Sequence, residues 1–160
     1  MCPQLAVVGA GEAGSELVAM AEQVGARLAE AGAVLVCGGL GGVMEAACRG
    51  ARRAGGSTVG LLPGTDRGAA NRFVDVVIPT GLGEARNVLV VRSGEAVIAV
   101  GGGYGTLAEI ALALKAGTPV VGIATWELAR AGLAIDDVER VESAAEAVER
   151  ALTLAGARPR

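Results

Sequence analysis

The chain has 160 residues and a mass of 15.8 kDa, the size of one ordinary domain, expected here to span residues 1–160. Hydrophobic residues make up 52% and charged residues 19%, enough for a buried core and too apolar for a disordered chain. With 14 Lys and Arg against 17 Asp and Glu, the net charge is −3, which argues against nucleic acid as a partner.

Residues 5–8, Leu-Ala-Val-Val, read as a buried strand stopped by Gly9-Ala10-Gly11. Residues 15–31 read as a helix, with Leu17, Met20, Val24 and Leu28 on one face. Residues 33–37 form a second predicted strand, followed by Gly38-Gly39-Leu40-Gly41-Gly42 and a helix over about residues 42–54. Residues 58–62 give a third strand, 63–72 a polar loop and 74–78 a fourth strand ended by Pro79-Thr80-Gly81. A helix over 84–92 leads to a fifth strand at 96–100, and a helix over 106–115 to a sixth at 120–123. The remainder predicts a short helix near Trp126, an edge strand at 138–141, a helix from Ser143 and a frayed end over 155–160.

Strands of four or five apolar residues without alternation are covered on both faces, as in a parallel sheet. Strand and helix alternate throughout with short connections, which predicts an α/β, doubly wound, mostly parallel sheet flanked by helices. The longest uncharged run, residues 31–44, has 14 residues and five glycines, too short to span a bilayer. The start, Met1-Cys2-Pro3-Gln4, lacks a secretory pattern, so a cytoplasmic location without membrane contact is expected.

The side chains present narrow the chemistry. There is no histidine, which removes Ser-His-Asp and Cys-His catalysis and histidine metal sites. Aromatic residues are limited to Phe73, Tyr104 and Trp126, so a stacking platform for single-stranded nucleic acid is not expected. Cys2, Cys37 and Cys48 form no CxxC pair and read as reduced thiols, with Cys37 and Cys48 in the core. Lys115 is the only lysine, and its place at a helix end suits the dipole without catalysis. Trp126 and Leu133 read as core or as a contact between copies.

In an open parallel sheet, ligands bind beyond the carboxyl ends of the strands, where strand order reverses. The glycines collect at those ends: Gly9 and Gly11, then Gly39 and Gly42, then Gly101-Gly102-Gly103-Tyr104-Gly105-Thr106. The third cluster opens a helix, whose free N–H groups and positive dipole end favour phosphate. It is neither a Walker A loop nor a dinucleotide fingerprint, so a small phosphorylated ligand fits better. Thr106 is placed to cap that helix or to donate to a phosphoryl oxygen. Glu109, three residues on, reads as a site carboxylate or as a capping-box acid for Thr106. Arg86 sits at a predicted helix start, where the dipole disfavours it, so it calls for an anion or carboxylate; the plain alternative is a surface ion pair. Glu45 reads as a first-turn acid, and Asp66, Arg67, Asn71 and Arg72 as solvated loop.

The blocks Gly38-Gly39-Leu40-Gly41-Gly42-Val43-Met44-Glu45-Ala46, Ile78-Pro79-Thr80-Gly81 through Arg86-Asn87, and Gly102-Gly103-Tyr104-Gly105-Thr106-Leu107-Ala108-Glu109 together resemble the LOG (Lonely Guy) family. That family was long labelled "possible lysine decarboxylase" and includes molybdenum-cofactor carrier proteins. The resemblance covers about residues 5–123 and implies a Rossmann-like homodimer. In the hydrolase branch it implies cleavage of a nucleoside 5′-monophosphate to base and ribose 5-phosphate. In the carrier branch it implies binding of molybdenum cofactor or a nucleotide without turnover.

Carried over by motif, the ligand phosphate lies on Gly102, Gly103, Gly105 and Thr106, with Gly9, Gly39, Gly42 and Asn87 also in the binding set. Arg86 and Glu109 match the catalytic arginine and glutamate, suited to an oxocarbenium-like transition state. Three positions depart from the hydrolase pattern: Gly101 replaces Pro, Asn87 replaces Lys, and Ala108 replaces an acid. Molybdenum cofactor enters only as a carried ligand; no pyridoxal phosphate and no metal are expected. The decarboxylase label finds no support, since Lys115 lies a full helix from the glycine cluster.

Overall fold

A computed structural model describes residues 2–157. Seven strands, β1 (Gln4–Gly9), β2 (Val34–Cys37), β3 (Thr58–Leu62), β4 (Val76–Pro79), β5 (Ala96–Val100), β6 (Val120–Ile123) and β9 (Val138–Val141), form one parallel sheet. Its order is β4-β3-β2-β1-β5-β6-β9. Strand order reverses between β1 and β5, whose register pairs Ala6 with Val97 and Gly9 with Val100. The expected doubly wound α/β architecture is therefore present. No described helix is long and apolar enough to cross a membrane.

Successive strand residues point to opposite faces, and both faces are apolar. Leu5, Val7, Leu35, Ile98 and Val100 face α1 (Ser15–Glu30), α2 (Val43–Arg53) and α5 (Ala144–Gly156). Ala6, Val8, Val36, Val97 and Ala99 face α3 (Asn87–Ser93) and α4 (Tyr104–Lys115). Leu5, Leu35, Ile98 and Ile110 are wholly buried, each contributing about 1.5–3 kcal/mol by leaving water.

Several local expectations are corrected. The predicted helix over 84–92 is split into a 3-10 turn, Gly83–Arg86, and the shorter α3. The fourth strand starts at Val76 rather than residue 74, because Asn71 ties the preceding backbone to Gly39 and Leu40, and Asp75 ties it to Thr58. No helix forms near Trp126; β7 (Leu128–Arg130) and β8 (Leu133–Ile135) make an antiparallel hairpin instead. Leu133 is exposed on that hairpin, so it is not core. Of the expected frayed end, residues 155 and 156 close α5, and residues 158–160 lie outside the described residues.

Candidate anion-binding cavity

Where β1 and β5 part, a cavity of about 320 Å³ opens, at the position expected for an open parallel sheet. Gly9, Ala10 and Gly11 after β1 line one side, Gly103, Gly105, Thr106 and Glu109 of the β5–α4 junction another. Met44 of α2 and Arg86-Asn87 at the start of α3 complete it.

The opening of α4 supplies donors. Gly103 is its N-cap and makes no side-chain cap, and the first helical bond recorded there runs from Leu107 N–H to Gly103 O at 3.0 Å. The N–H groups of Tyr104, Gly105 and Thr106 therefore have no carbonyl one turn back to meet. A Cβ added at Gly11, Gly103 or Gly105 would meet nothing within 4 Å. Packing does not require glycine at these three places, and its effect is to leave main chain bare to the cavity.

Thr106 does not cap the helix, one of the two roles its place in the sequence allows. It is the third residue of α4, 2% exposed, with its hydroxyl beside Gly102. Glu109 likewise forms no capping box; it is 8% exposed and faces the cavity. Burial raises its pKa from 4.5 to about 7, against the opposing pull of Arg86.

Arg86 is not a surface residue either. It is 6% exposed, and its buried Nε has no hydrogen-bond partner. Burial lowers its pKa while the Glu109 carboxylate and Cys37 raise it. Room for the guanidinium comes from Gly38, where a Cβ would lie 2.3 Å from Nη1. The arginine is thus built into the fold with donor capacity left unused, an arrangement that an anion would complete.

Eight of the residues singled out in sequence line the cavity: Gly9, Gly11, Arg86, Asn87, Gly103, Gly105, Thr106 and Glu109. Gly39, Gly42 and Gly102 do not, and each meets a packing demand. Gly39 passes Gly60 so closely that a Cβ would lie 3.2 Å from its Cα. Gly42, at φ +62°, would put a Cβ 2.3 Å from Ala10 O, where Val43 N–H is bonded. A Cβ on Gly102 would strike the Thr106 side chain. Met44 and Ala10 were not foreseen; Met44 stands in a glycine-led motif, the one signal that could have found it.

Of the three departures, one lies in the cavity lining. Asn87 puts an amide in the lining where the hydrolase pattern has a cation. Gly101 adopts φ +55°, a conformation proline cannot take. Ala108 is exposed and outside the lining, so its side chain does not alter the cavity.

The other candidates lie elsewhere. Asp66, Arg67 and Arg72 are exposed, as expected. Asn71 instead pins the second glycine loop, its Nδ2 donating to Gly39 O and Leu40 O. Cys37 and Cys48 are buried with their sulfurs 3.5 Å apart, and Lys115 is exposed at the end of α4. Among the described residues no group of three or more His, Cys, Asp or Glu could hold a metal ion.

The model of the SLOG cluster4 family matches residues 3–152. The molybdenum cofactor binding protein of the phototrophic bacterium Rippkaea orientalis is 38% identical, with a TM-score of 0.89 over 96% of this chain and 98% of that one. The molybdenum cofactor carrier protein of Chlamydomonas reinhardtii is 37% identical, with a TM-score of 0.85 over 98% of this chain and 99% of that one. An uncharacterized protein of Archaeoglobus fulgidus is 50% identical over 120 residues, 75% of this chain and 79% of that one.

Proposed function

Because the chain belongs to the SLOG cluster4 family, we propose that it is a binding and carrier protein for a phosphorylated small ligand, with molybdenum cofactor as its cargo. The observation that carries this reading is the buried, unpartnered Nε of Arg86 beside a cavity bordered by the open end of α4. The free amides and the guanidinium suit a phosphate. Glu109, with a pKa near 7, is largely protonated below neutrality and then offers a donor rather than a repelling charge. Likeness to two molybdenum cofactor proteins over nearly the whole chain supports that cargo.

Hydrolysis of a nucleoside 5′-monophosphate is the second reading, favoured by the same Arg86–Glu109 pair. The φ of Gly101 and the amide of Asn87 weigh toward binding alone. Copies of the chain are proposed to associate; Val76, Ile78 and Leu82 are exposed, and light scattering would detect the dimer.

The test is to mix the protein with molybdenum cofactor freed from a molybdoenzyme and measure molybdenum that co-elutes in gel filtration. Wild type should retain near-stoichiometric metal and Arg86→Ala almost none. Parallel incubation with AMP should release no base above a Glu109→Ala control. Base release by wild type alone would replace the carrier reading with the hydrolase one.

A further inference from the structure

Three aromatic residues occur in 160, and two of them stand together at the start of α4. The rings of Tyr104 and Trp126 lie 5.6 Å apart at 36°. Tyr104 is nonetheless 83% exposed, so Trp126 backs one side of it and water covers the rest. In sequence Tyr104 lies between Gly103 and Gly105, both in the cavity lining. Its own backbone N–H is one of the three free amides that open α4.

Trp126 is held in place. Its Nε1–H donates to Gly103 O at 3.1 Å, and the Thr125 hydroxyl donates to Gly101 O at 2.6 Å. These bonds clamp the segment after β6 across the β5–α4 junction. Ala124 takes φ +48° in the same segment, a conformation that disfavours any residue but glycine. An exposed tyrosine gains little by such support in the free protein. An open tyrosine face backed by an anchored tryptophan, on the residue that starts α4, is instead suited to stacking.

The geometry points to Tyr104, backed by Trp126, as a shelf for a planar heteroaromatic ring joined to the bound phosphate, a purine or a pterin. This deepens the carrier reading and rests on the anion seat proposed there. The phosphate would occupy the start of α4, and the ring would lie outward over Tyr104. Stacking tolerates any flat ring, so the shelf adds affinity while the seat fixes position.

Three probes separate the parts: ribose 5-phosphate, AMP and 6-hydroxymethylpterin phosphate, each titrated by calorimetry. Trp126 is the sole tryptophan, so its emission reports events at the shelf. Both ring-bearing probes should bind tighter than ribose 5-phosphate and change that emission, and the tighter of the two identifies the ring class. Tyr104→Ala should weaken the ring-bearing probes about tenfold and leave ribose 5-phosphate unchanged, with Tyr104→Phe restoring the loss. Unchanged affinity of AMP and the pterin in Tyr104→Ala, with ribose 5-phosphate still bound, overturns the shelf and spares the seat. Absence of binding by all three probes to wild type overturns both. A lower light-scattering mass for Tyr104→Ala with unaltered affinities assigns the pair to a contact between copies, which also overturns the shelf.

Discussion

Gly38 and Arg86 share one space: a methyl on the glycine would stand 2.3 Å from the guanidinium Nη1 and 2.8 Å from the Met44 sulfur. Arg86 is seated by a residue 48 positions earlier that has no chemistry of its own. Gly38→Ala should therefore displace Arg86 and weaken ribose 5-phosphate binding at least tenfold. The Arg86 guanidinium and the Met44 sulfur should both have to move, each being the flexible end of a side chain. Calorimetry on a variant with an unchanged circular dichroism spectrum checks this; full retained affinity would contradict it.

Glu109 makes stability depend on pH. Its folded-state pKa, about 7, lies above the ordinary 4.5 because of burial. Below pH 4.5 both folded and unfolded chains carry the proton, and the group has no effect. Between 4.5 and 7 the native state holds the proton more tightly, so stability falls as pH rises, by about 3 kcal/mol at most. Above 7 the loss is complete. Urea melts of wild type and Glu109→Gln between pH 5 and 8 should show this decline in wild type and its absence in the variant.

Helices α1 and α2 touch through glycines. A Cβ at Gly25 would lie 1.9 Å from Ala47 O, and one at Gly50 1.9 Å from Glu22 O. Neither obstacle is a flexible side-chain end, so the helices must separate. Nearby, Glu22 receives Arg49 Nε and Nη2 at 3.0 and 2.8 Å and also pairs with Arg53, contacts that separation would loosen. Gly25→Ala or Gly50→Ala should each destabilise the fold by about 2–3 kcal/mol, read as a lowered urea midpoint.

The β7–β8 hairpin turns on Ala131 and Gly132, at φ +52° and +80°, between paired Arg130 and Leu133. Two positive φ values in a two-residue loop match the type I′ turn, which favours Asn-Gly. Ala131→Asn should raise stability by about 0.5–1 kcal/mol, visible as a higher thermal midpoint.

The sheet was legible because runs such as Ala96 to Val100 are wholly buried and read as apolar without interruption. The hairpin was not, since Ala131-Gly132 lacks the Asn or Asp that announces such turns. The helix over 84–92 was misplaced at its start, where apolar spacing carries no mark of a 3-10 turn. At the site, the glycines and Thr106 were visible as a dense cluster, and Arg86 as an arginine at a poorly suited helix start. Their burial was not visible, because the void around Arg86 depends on Gly38 and Met44 from other segments. Gly39 and Gly42 resembled ligand contacts in sequence; only coordinates reveal the backbone that presses on them.

The bonds from Thr125 and Trp126 to Gly101 O and Gly103 O have a mechanical corollary. They couple the first turn of α4 to the stretch leading into the β7–β8 hairpin, which carries Leu133 at 74% exposure. Displacement of that turn would pull on a strap whose far end juts from the molecule. A shift in one would thereby be felt in the other, joining the inner cavity to the outer skin through two bonds.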